Sequence, residues 1–367
     1  MLAEPLNHPD CGAERAGAAV RMPPVAAIVC NFNQGAYVEA AIASVAAQTY
    51  PQLECVVVDD CSTDGSGEAI ARILAAKGTS GLRLIQHAQN RGQMAAMLSG
   101  LDATTAPFVA WLDADDVWLP EYIERHMAHH LNAQVNAALS TSNMAVIDAG
   151  GTVIAGAAPP MSVRSPLRRK GERSFPIRPA RLLHHGREID LGCEEFLGPM
   201  QGALFINRHY ESWVWSSTSG MVFRRAAVEA IRPLQCDGLR TCADHYLARF
   251  AHVVGGTIWI GETLGCYRIH GSNGLAKRTI HGDGPLGKEP RHIAEEGNYQ
   301  LVLKLKQSEL LSALLSEGDL KEVLVQIGRG RRALREILGS RQLRRALRPS
   351  GRLRLLRRRL ALFGRSR

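Results

Sequence analysis

The chain has no apolar run approaching the roughly 20 residues needed to span a bilayer as a helix. Its first two dozen residues carry Glu4, Asp10 and Glu14 and no apolar core, so they lack the shape of a secretory signal. Eight cysteines are present (Cys11, Cys30, Cys55, Cys61, Cys193, Cys236, Cys242, Cys266), but none form a C-x-x-C pair or a zinc-like spacing. They read as reduced thiols, several within apolar strands, and a cytoplasmic location is the expectation. Internal repeats are absent. There is no G-x-G-x-x-G after the first strand and no G-x-x-x-x-G-K-[ST] anywhere, which excludes a glycine-rich backbone cradle for phosphates.

What is there begins with an ordinary globular composition, 46% hydrophobic and 22% charged over 367 residues. That length suits one large α/β domain with an appendage, or two modest domains. The net charge of +9 misleads as an average, because residues 329–367 hold 15 arginines against one glutamate. The remainder is mildly acidic, and the basicity belongs to a tail.

Four short apolar runs, 25–30, 53–58, 82–85 and 108–112, recur at nearly regular intervals, each followed by a helix-like segment. Tyr37, Val38, Ala41, Ile42 and Val45 repeat at helical spacing, and Ser62, Thr63 and Asp64 offer caps to the helix that follows. Such alternation predicts a parallel sheet covered on both faces. A further strand is expected over 138–147. Residues from about 150 to 212 are rich in Pro, Arg and Gly and read as a loop-rich insertion. Structure returns at 216–230, 241–254 and 257–260, and 298–327 is helical and leucine-rich.

Parallel sheets hold ligands at the carboxyl ends of their strands. Asn31 and Asn33 follow the first strand, Asp59 and Asp60 end the second, Asn90 follows the third, and Asp113, Asp115 and Asp116 end the fourth. Carboxylates this close repel one another, and a divalent cation among them relieves the repulsion. With no glycine-rich cradle, a carboxylate-held metal is the economical means of neutralising a pyrophosphate.

Four blocks then occur in order: Val25-Ala26-Ala27-Ile28-Val29-Cys30-Asn31-Phe32-Asn33 with Ala43-Ser44-Val45-Ala46-Ala47-Gln48-Thr49-Tyr50-Pro51; Val57-Val58-Asp59-Asp60-Cys61-Ser62-Thr63-Asp64-Gly65-Ser66; Asn90-Arg91-Gly92; and Asp113-Ala114-Asp115-Asp116. Together they resemble the opening of family 2 glycosyltransferases of the GT-A fold. The resemblance covers 25–131, is partial over 216–273, and does not extend to the insertion or tail. It implies a Rossmann-type, mostly parallel sheet with helices on both faces. Asp60 would contact the donor's base, and the turn with Cys30, Asn31 and Asn33 would line the nucleotide pocket beside Asn90. Asp113 and Asp115 would form the D-x-D pair on Mg²⁺ or Mn²⁺, with Asp113 also near the ribose and Asp116 a weaker metal ligand.

Inverting transfer also needs a base for the acceptor hydroxyl proton. By the resemblance this is Asp244 in Cys242-Ala243-Asp244-His245, although Ala243 stands where the family usually has a glutamate. Ser217-Thr218-Ser219-Gly220-Met221 resembles the family's acceptor-side loop. Arg268 and His270, in Tyr267-Arg268-Ile269-His270-Gly271, are candidate contacts to the diphosphate. Met97 and Leu98 replace an arginine and an asparagine often found on the third helix, so base recognition relies on other residues. His126, His129 and His130 read as a solvated helix surface, as does the His184-His185 pair.

The resulting expectation is an α/β fold in four parts. They are an N-terminal segment (1–22), a GT-A domain (23–275, with a nucleotide-sugar half to 148 and an acceptor-side half from 149), a linker and helical segment (276–327), and an arginine-rich tail (328–367). The tail's interleaved leucines and arginines suit an amphipathic helix lying on an anionic membrane. The expected activity is metal-dependent transfer from a nucleotide-diphosphate sugar, with a UDP-sugar favoured, to a hydroxyl acceptor such as a lipid-linked glycan. The setting would be surface-polysaccharide synthesis on the inner face of the cytoplasmic membrane, with no nucleic acid partner. A nucleotidyltransferase on a similar sheet and a non-catalytic membrane-associated scaffold are the alternatives. Free nucleoside diphosphate as product separates them, since the first releases pyrophosphate and the second neither.

Overall fold

The computed structural model describes residues 21–76, 82–133, 135–156, 174–176, 183–184, 187–188, 203–208, 213–271 and 291–347. Its first half alternates strand and helix: β1 (Val25–Asn31), α1 (Val38–Ala46), β2 (Leu53–Asp59), α2 (Ser66–Ala76), β3 (Leu82–Gln86), α3 (Gln93–Asp102) and β4 (Phe108–Asp113). The short β5 (Val117–Trp118), α4 (Tyr122–Asn132) and β6 (Leu139–Ile147) follow. Short strands then cross the insertion: β7 (Val153–Ala155), β8 (Ser174–Pro176), β9 (Leu183–His184), β10 (Arg187–Glu188) and β11 (Ala203–Ile206). The second half returns with β12 (Met221–Arg224), α5 (Arg225–Ile231), α6 (Ala243–Gly255) and β13 (Thr257–Arg268). Helices α7 (Arg291–Gln307), α8 (Glu309–Leu314), α9 (Glu317–Ile327), α10 (Arg331–Gly339) and α11 (Arg341–Ala346) end the described chain.

One large sheet runs in the order β3-β2-β1-β4-β12-β6-β13-β11-β8. Strands β3, β2, β1 and β4 are mutually parallel, with Asn31 level with Asp59 and Cys30 level with Asp113. Beyond β4 the sheet becomes mixed, because β12 pairs antiparallel with both β4 and β6 while β13 pairs parallel with β6. The carboxyl ends of β1, β2 and β4 therefore share one rim.

The central strand is apolar on both faces, and Val25 to Val29 are fully buried. Alternate residues serve two cores. Ala26 and Ile28 face a cluster with Met94, Leu101, Val228 and Leu247, and Val25, Ala27 and Val29 face one with Ile42, Tyr122 and Met127. Helix α3 lies so close to β1 that a Cβ at Gly100 would stand 2.3 Å from Ile28 Cγ2.

Asp64 caps α2: its Oδ1 accepts from Ser66 N at 3.0 Å, while its Oδ2 accepts from Gly35 N at 2.8 Å. Ser62 and Thr63 turn towards Asn33 instead. The expected 298–327 helix is three helices, broken before α8 and α9, where Ser308 and Ser316 cap the new starts. Ser316 and Asp319 form a reciprocal capping box.

The C-terminal part differs from the amphipathic membrane helix expected of 328–367. Leu334, Ile337, Leu343 and Leu347 are buried in the same core as Tyr246, Phe250, Val302 and Leu324. Their apolar face packs on the protein, because α10 lies against α7 and α11 against α9. Residues 348–367 lie outside the described residues, as do 1–20 and most of the 150–212 insertion. No helix among the described residues is long and apolar enough to cross a membrane.

Candidate functional site

Four loops meet at the rim. After β1, Asn33 adopts a left-handed backbone (φ 54°), its Oδ1 accepting from Thr63 N at 2.8 Å and its own N–H donating to Ser62 Oγ at 2.9 Å. The buried Asn31 amide donates to Asp59 Oδ1 at 2.7 Å and to Ser66 Oγ at 2.9 Å. The β1 and β2 loops are thus bolted together, and Asp59 is consumed in the bolt.

Asp60 sits one residue further out and is buried. Its Oδ1 meets His87 Nδ1 at 2.6 Å and accepts from Arg91 N at 2.8 Å, and its Oδ2 accepts from Gly92 N at 2.7 Å. Gly92 has φ 86°, and a Cβ there would stand 2.7 Å from Arg240 Cα, so only glycine fits this turn. Arg240 also grips Asn90, through Oδ1 and the carbonyl oxygen. Between the two acidic ends lies Cys30, whose thiol is pushed up by burial and by the charges of Asp113 and Asp60.

The other end is crowded with carboxylates. Burial, then the charges of Asp115 and Asp244, push Asp113 up to about 8, although hydrogen bonds from Thr218 and Gln93 pull the other way. Asp113, its near neighbour Asp115 and the sequence-distant Asp244 therefore share one field. Asp115 Oδ2 lies 3.0 Å from His270 Nε2, and the His270 ring packs on Tyr37 with centroids 4.7 Å apart. Asp244 stands in the first turn of α6, which begins after Cys242 in a left-handed conformation (φ 55°). Gln93 joins the two sides: its Nε2 donates to Asp113 Oδ1 at 3.4 Å, and its Oε1 accepts from Ala243 N at 3.0 Å. Among the described residues no three His, Cys, Asp or Glu side chains close on one point as a metal cage.

Residues 26–152 match the family model described as Glycosyl transferase family 2. Over this stretch the chain is similar to glycosyl transferase family 2. An uncharacterized glycosyltransferase of Nostoc sp. is 29% identical over 252 residues, covering 68% of this chain and 66% of that protein. A putative teichuronic acid biosynthesis glycosyltransferase of Bacillus subtilis is 30% identical over 105 residues, covering 29% of this chain and 41% of its own length. The chain thus spans just under two thirds of the first relative and less than half of the second. The fold resembles that of S. aureus TarS 1–349 in complex with UDP-GlcNAc (TM-score 0.51, 14% identity, 92% of this chain and 88% of that one).

At this rim, two residues expected at the ligand face inward. Asp116 is buried, its Oδ2 accepting from Ser219 Oγ at 2.6 Å and its Oδ1 from Arg268 N at 2.8 Å. The Arg268 guanidinium is directed to the carbonyls of Asp115 (2.8 Å) and Asp148 (3.2 Å), with Tyr37 beneath it. Both hold the loop that carries Asp113 and Asp115. The α4 histidines are a correction: His126, His129 and His130 are buried, not solvated, because α4 is covered by β6 and β13. Sequence reasoning missed Gln93, His87 and Tyr37 as site residues, and placed Ser219 only in an acceptor-side loop. His87, in the loop just past β3, and Gln93, at the start of α3, carry no spacing signal, and only the fold brings them to the rim.

Proposed function

We propose that the chain is a metal-dependent, inverting glycosyltransferase, moving a sugar from a nucleoside diphosphate to a hydroxyl acceptor in surface-polysaccharide or related glycan synthesis. The carrying observation is the shared field of Asp113, Asp115 and Asp244 at one rim. A carboxyl pushed up to about 8 by burial and by its neighbours' charges is a group whose charged form a cation would stabilise. The oxygen donors suit Mg²⁺ or Mn²⁺. Asp113 and Asp115 would hold the ion, leaving the remaining positions to donor phosphate oxygens and water. When bound, such an ion offsets charge on the departing diphosphate.

The chain's own residues do the rest. The Cys30–Asn33 turn and Asn90 line the nucleotide pocket, with Asp60 at the base. Asp244 takes the proton of the acceptor hydroxyl as its oxygen attacks the anomeric carbon opposite the leaving group, and a single displacement inverts that carbon. Arg268 and His270 keep the Asp115 loop aimed. The tight turns at Asn33, Gly92 and Cys242 favour a prearranged site over one assembled on binding.

The Bacillus relative's assignment to teichuronic acid biosynthesis supports a polysaccharide setting. The sequence beyond Leu347, rich in arginine and leucine, is proposed to meet anionic lipid headgroups and bring the enzyme to a lipid-linked acceptor. The test is a thermal-shift series with UDP, UDP-GlcNAc and GDP-mannose, with and without Mn²⁺. Stabilisation by a nucleotide sugar that requires Mn²⁺ and vanishes in Asp115→Ala is expected. Metal-independent stabilisation, or none with any donor, rejects the reading.

A further inference from the structure

The two ends of the rim are electrostatically unlike. The charged form of Asp113 is destabilised by burial and by the neighbouring carboxylates, whereas the buried Asp60 is met by three hydrogen-bonding groups from the protein itself. Asp60 therefore calls for no cation and is suited to recognising a neutral N–H. A ligand spanning from Asp60 past Cys30 to Asp113 has a neutral hydrogen-bonding end and an anionic end.

Lone-pair accounting then narrows the neutral end. A carboxylate oxygen has two good acceptor directions. On Oδ1 both are taken, by His87 Nδ1 at 2.6 Å and Arg91 N at 2.8 Å. On Oδ2 one is taken, by Gly92 N at 2.7 Å, and one remains. The carboxylate cannot swivel to free another, since the two backbone donors are successive residues of one turn. His87 is itself held: its Nε2 lies 2.9 Å from Ser99 Oγ on α3, and its side chain is 5% exposed. With the Nδ1–H tautomer assigned from this geometry, His87 donates to Asp60 and its Nε2 accepts from the Ser99 hydroxyl.

We infer that His87, braced by Ser99, is a specificity-determining residue that restricts the donor to bases with a single central N–H, uracil or thymine, by filling Asp60 Oδ1. Guanine offers two adjacent donors, N1–H and N2–H, and pairs best with two free carboxylate oxygens. Here it finds one. Adenine and cytosine turn a ring-nitrogen lone pair towards the carboxylate. The inference rests on the donor reading above.

The experiment is calorimetric titration of the full chain with UDP, dTDP, GDP, ADP and CDP in Mn²⁺, for the wild type, His87→Ala and Ser99→Ala. For the wild type, UDP and dTDP are expected to bind at least about tenfold more tightly than GDP, the worth of one hydrogen bond. His87→Ala frees a lone pair on Oδ1 and narrows that ratio to within about threefold, chiefly by a gain in GDP affinity. Ser99→Ala loosens the His87 ring without touching Asp60 and shifts the ratio in the same direction by less. It serves as the reporter if His87→Ala does not fold. Wild-type binding of GDP as tight as that of UDP, or an unchanged ratio in whichever variants fold, overturns the inference and leaves the donor reading standing. Failure of the wild type to bind any nucleoside diphosphate removes both.

Discussion

Asp113, Asp115 and Asp116 stand within four positions of one another and have different surroundings. Asp116 accepts from Ser219 and the Arg268 amide, so Asp116→Ala leaves two buried donors unmet and should cost about 1–3 kcal/mol for each in denaturant unfolding. Asp116→Asn should keep Mn²⁺ binding, whereas Asp115→Asn should lose it; equal loss in both would return Asp116 to the metal. For Asp113 the folded value of about 8 lies above the ordinary 3.8. Its proton must leave before a metal is held, so apparent Mn²⁺ affinity should rise between pH 6 and pH 8.5 in calorimetry, and a flat profile would contradict this. Asp244→Asn should lower kcat by about 10²–10⁴-fold with donor affinity unchanged, since a general base acts on the acceptor and not on nucleotide binding.

At the scale of elements, α4 carries three imidazoles into the core. His126 Nδ1 lies 2.7 Å from Ser140 Oγ, and the ring of His130 packs on Phe108 at 5.1 Å. Burial holds them neutral, pushing His129 down to about 4 and His130 to about 3. Glu262 raises His129 in part, and Arg125 and Arg224 act against protonation. In the unfolded chain these groups titrate near 6.5, so between that pH and the folded values the unfolded state binds more protons. Stability from this helix is therefore full above about pH 6.5 and lost as pH falls towards 4. The melting temperature should drop steeply over that interval, and His130→Asn should shallow the slope if it folds. The periodicity that marked α4 as a helix was correct, but histidines at i and i+4 read as a polar face. The opposite outcome arises because β6, the next element, and β13, more than a hundred residues further on, cover that face.

For the molecule as a whole, the C-terminal arginines belong to two regions. Through Leu347 the chain is part of the core, so truncation after Ile327 removes Leu334, Ile337, Leu343 and Leu347 from it. Each buried leucine or isoleucine is worth about 1.5–3 kcal/mol, and that truncation should lower the melting temperature sharply or prevent folding. Truncation after Leu347 should leave the melting temperature within about 2 °C of the full chain while abolishing sedimentation with anionic vesicles. Retained vesicle binding would move the lipid contact to the folded body.

The sequence by itself determined the β-α alternation through β4, with strand bounds within a residue or so, and the ordered acidic blocks at the strand ends. Both are local: strand period, apolar runs and turn residues are written within a few positions of one another. Only the tertiary structure decided that β12 inserts antiparallel between β4 and β6, that Asp244 joins the field of Asp113 across more than a hundred residues, and that Gln93 and His87 reach the rim. It also decided that the leucines of α10 and α11 face protein. An amphipathic stripe states that a face must be covered, and what covers it depends on chain brought in from elsewhere.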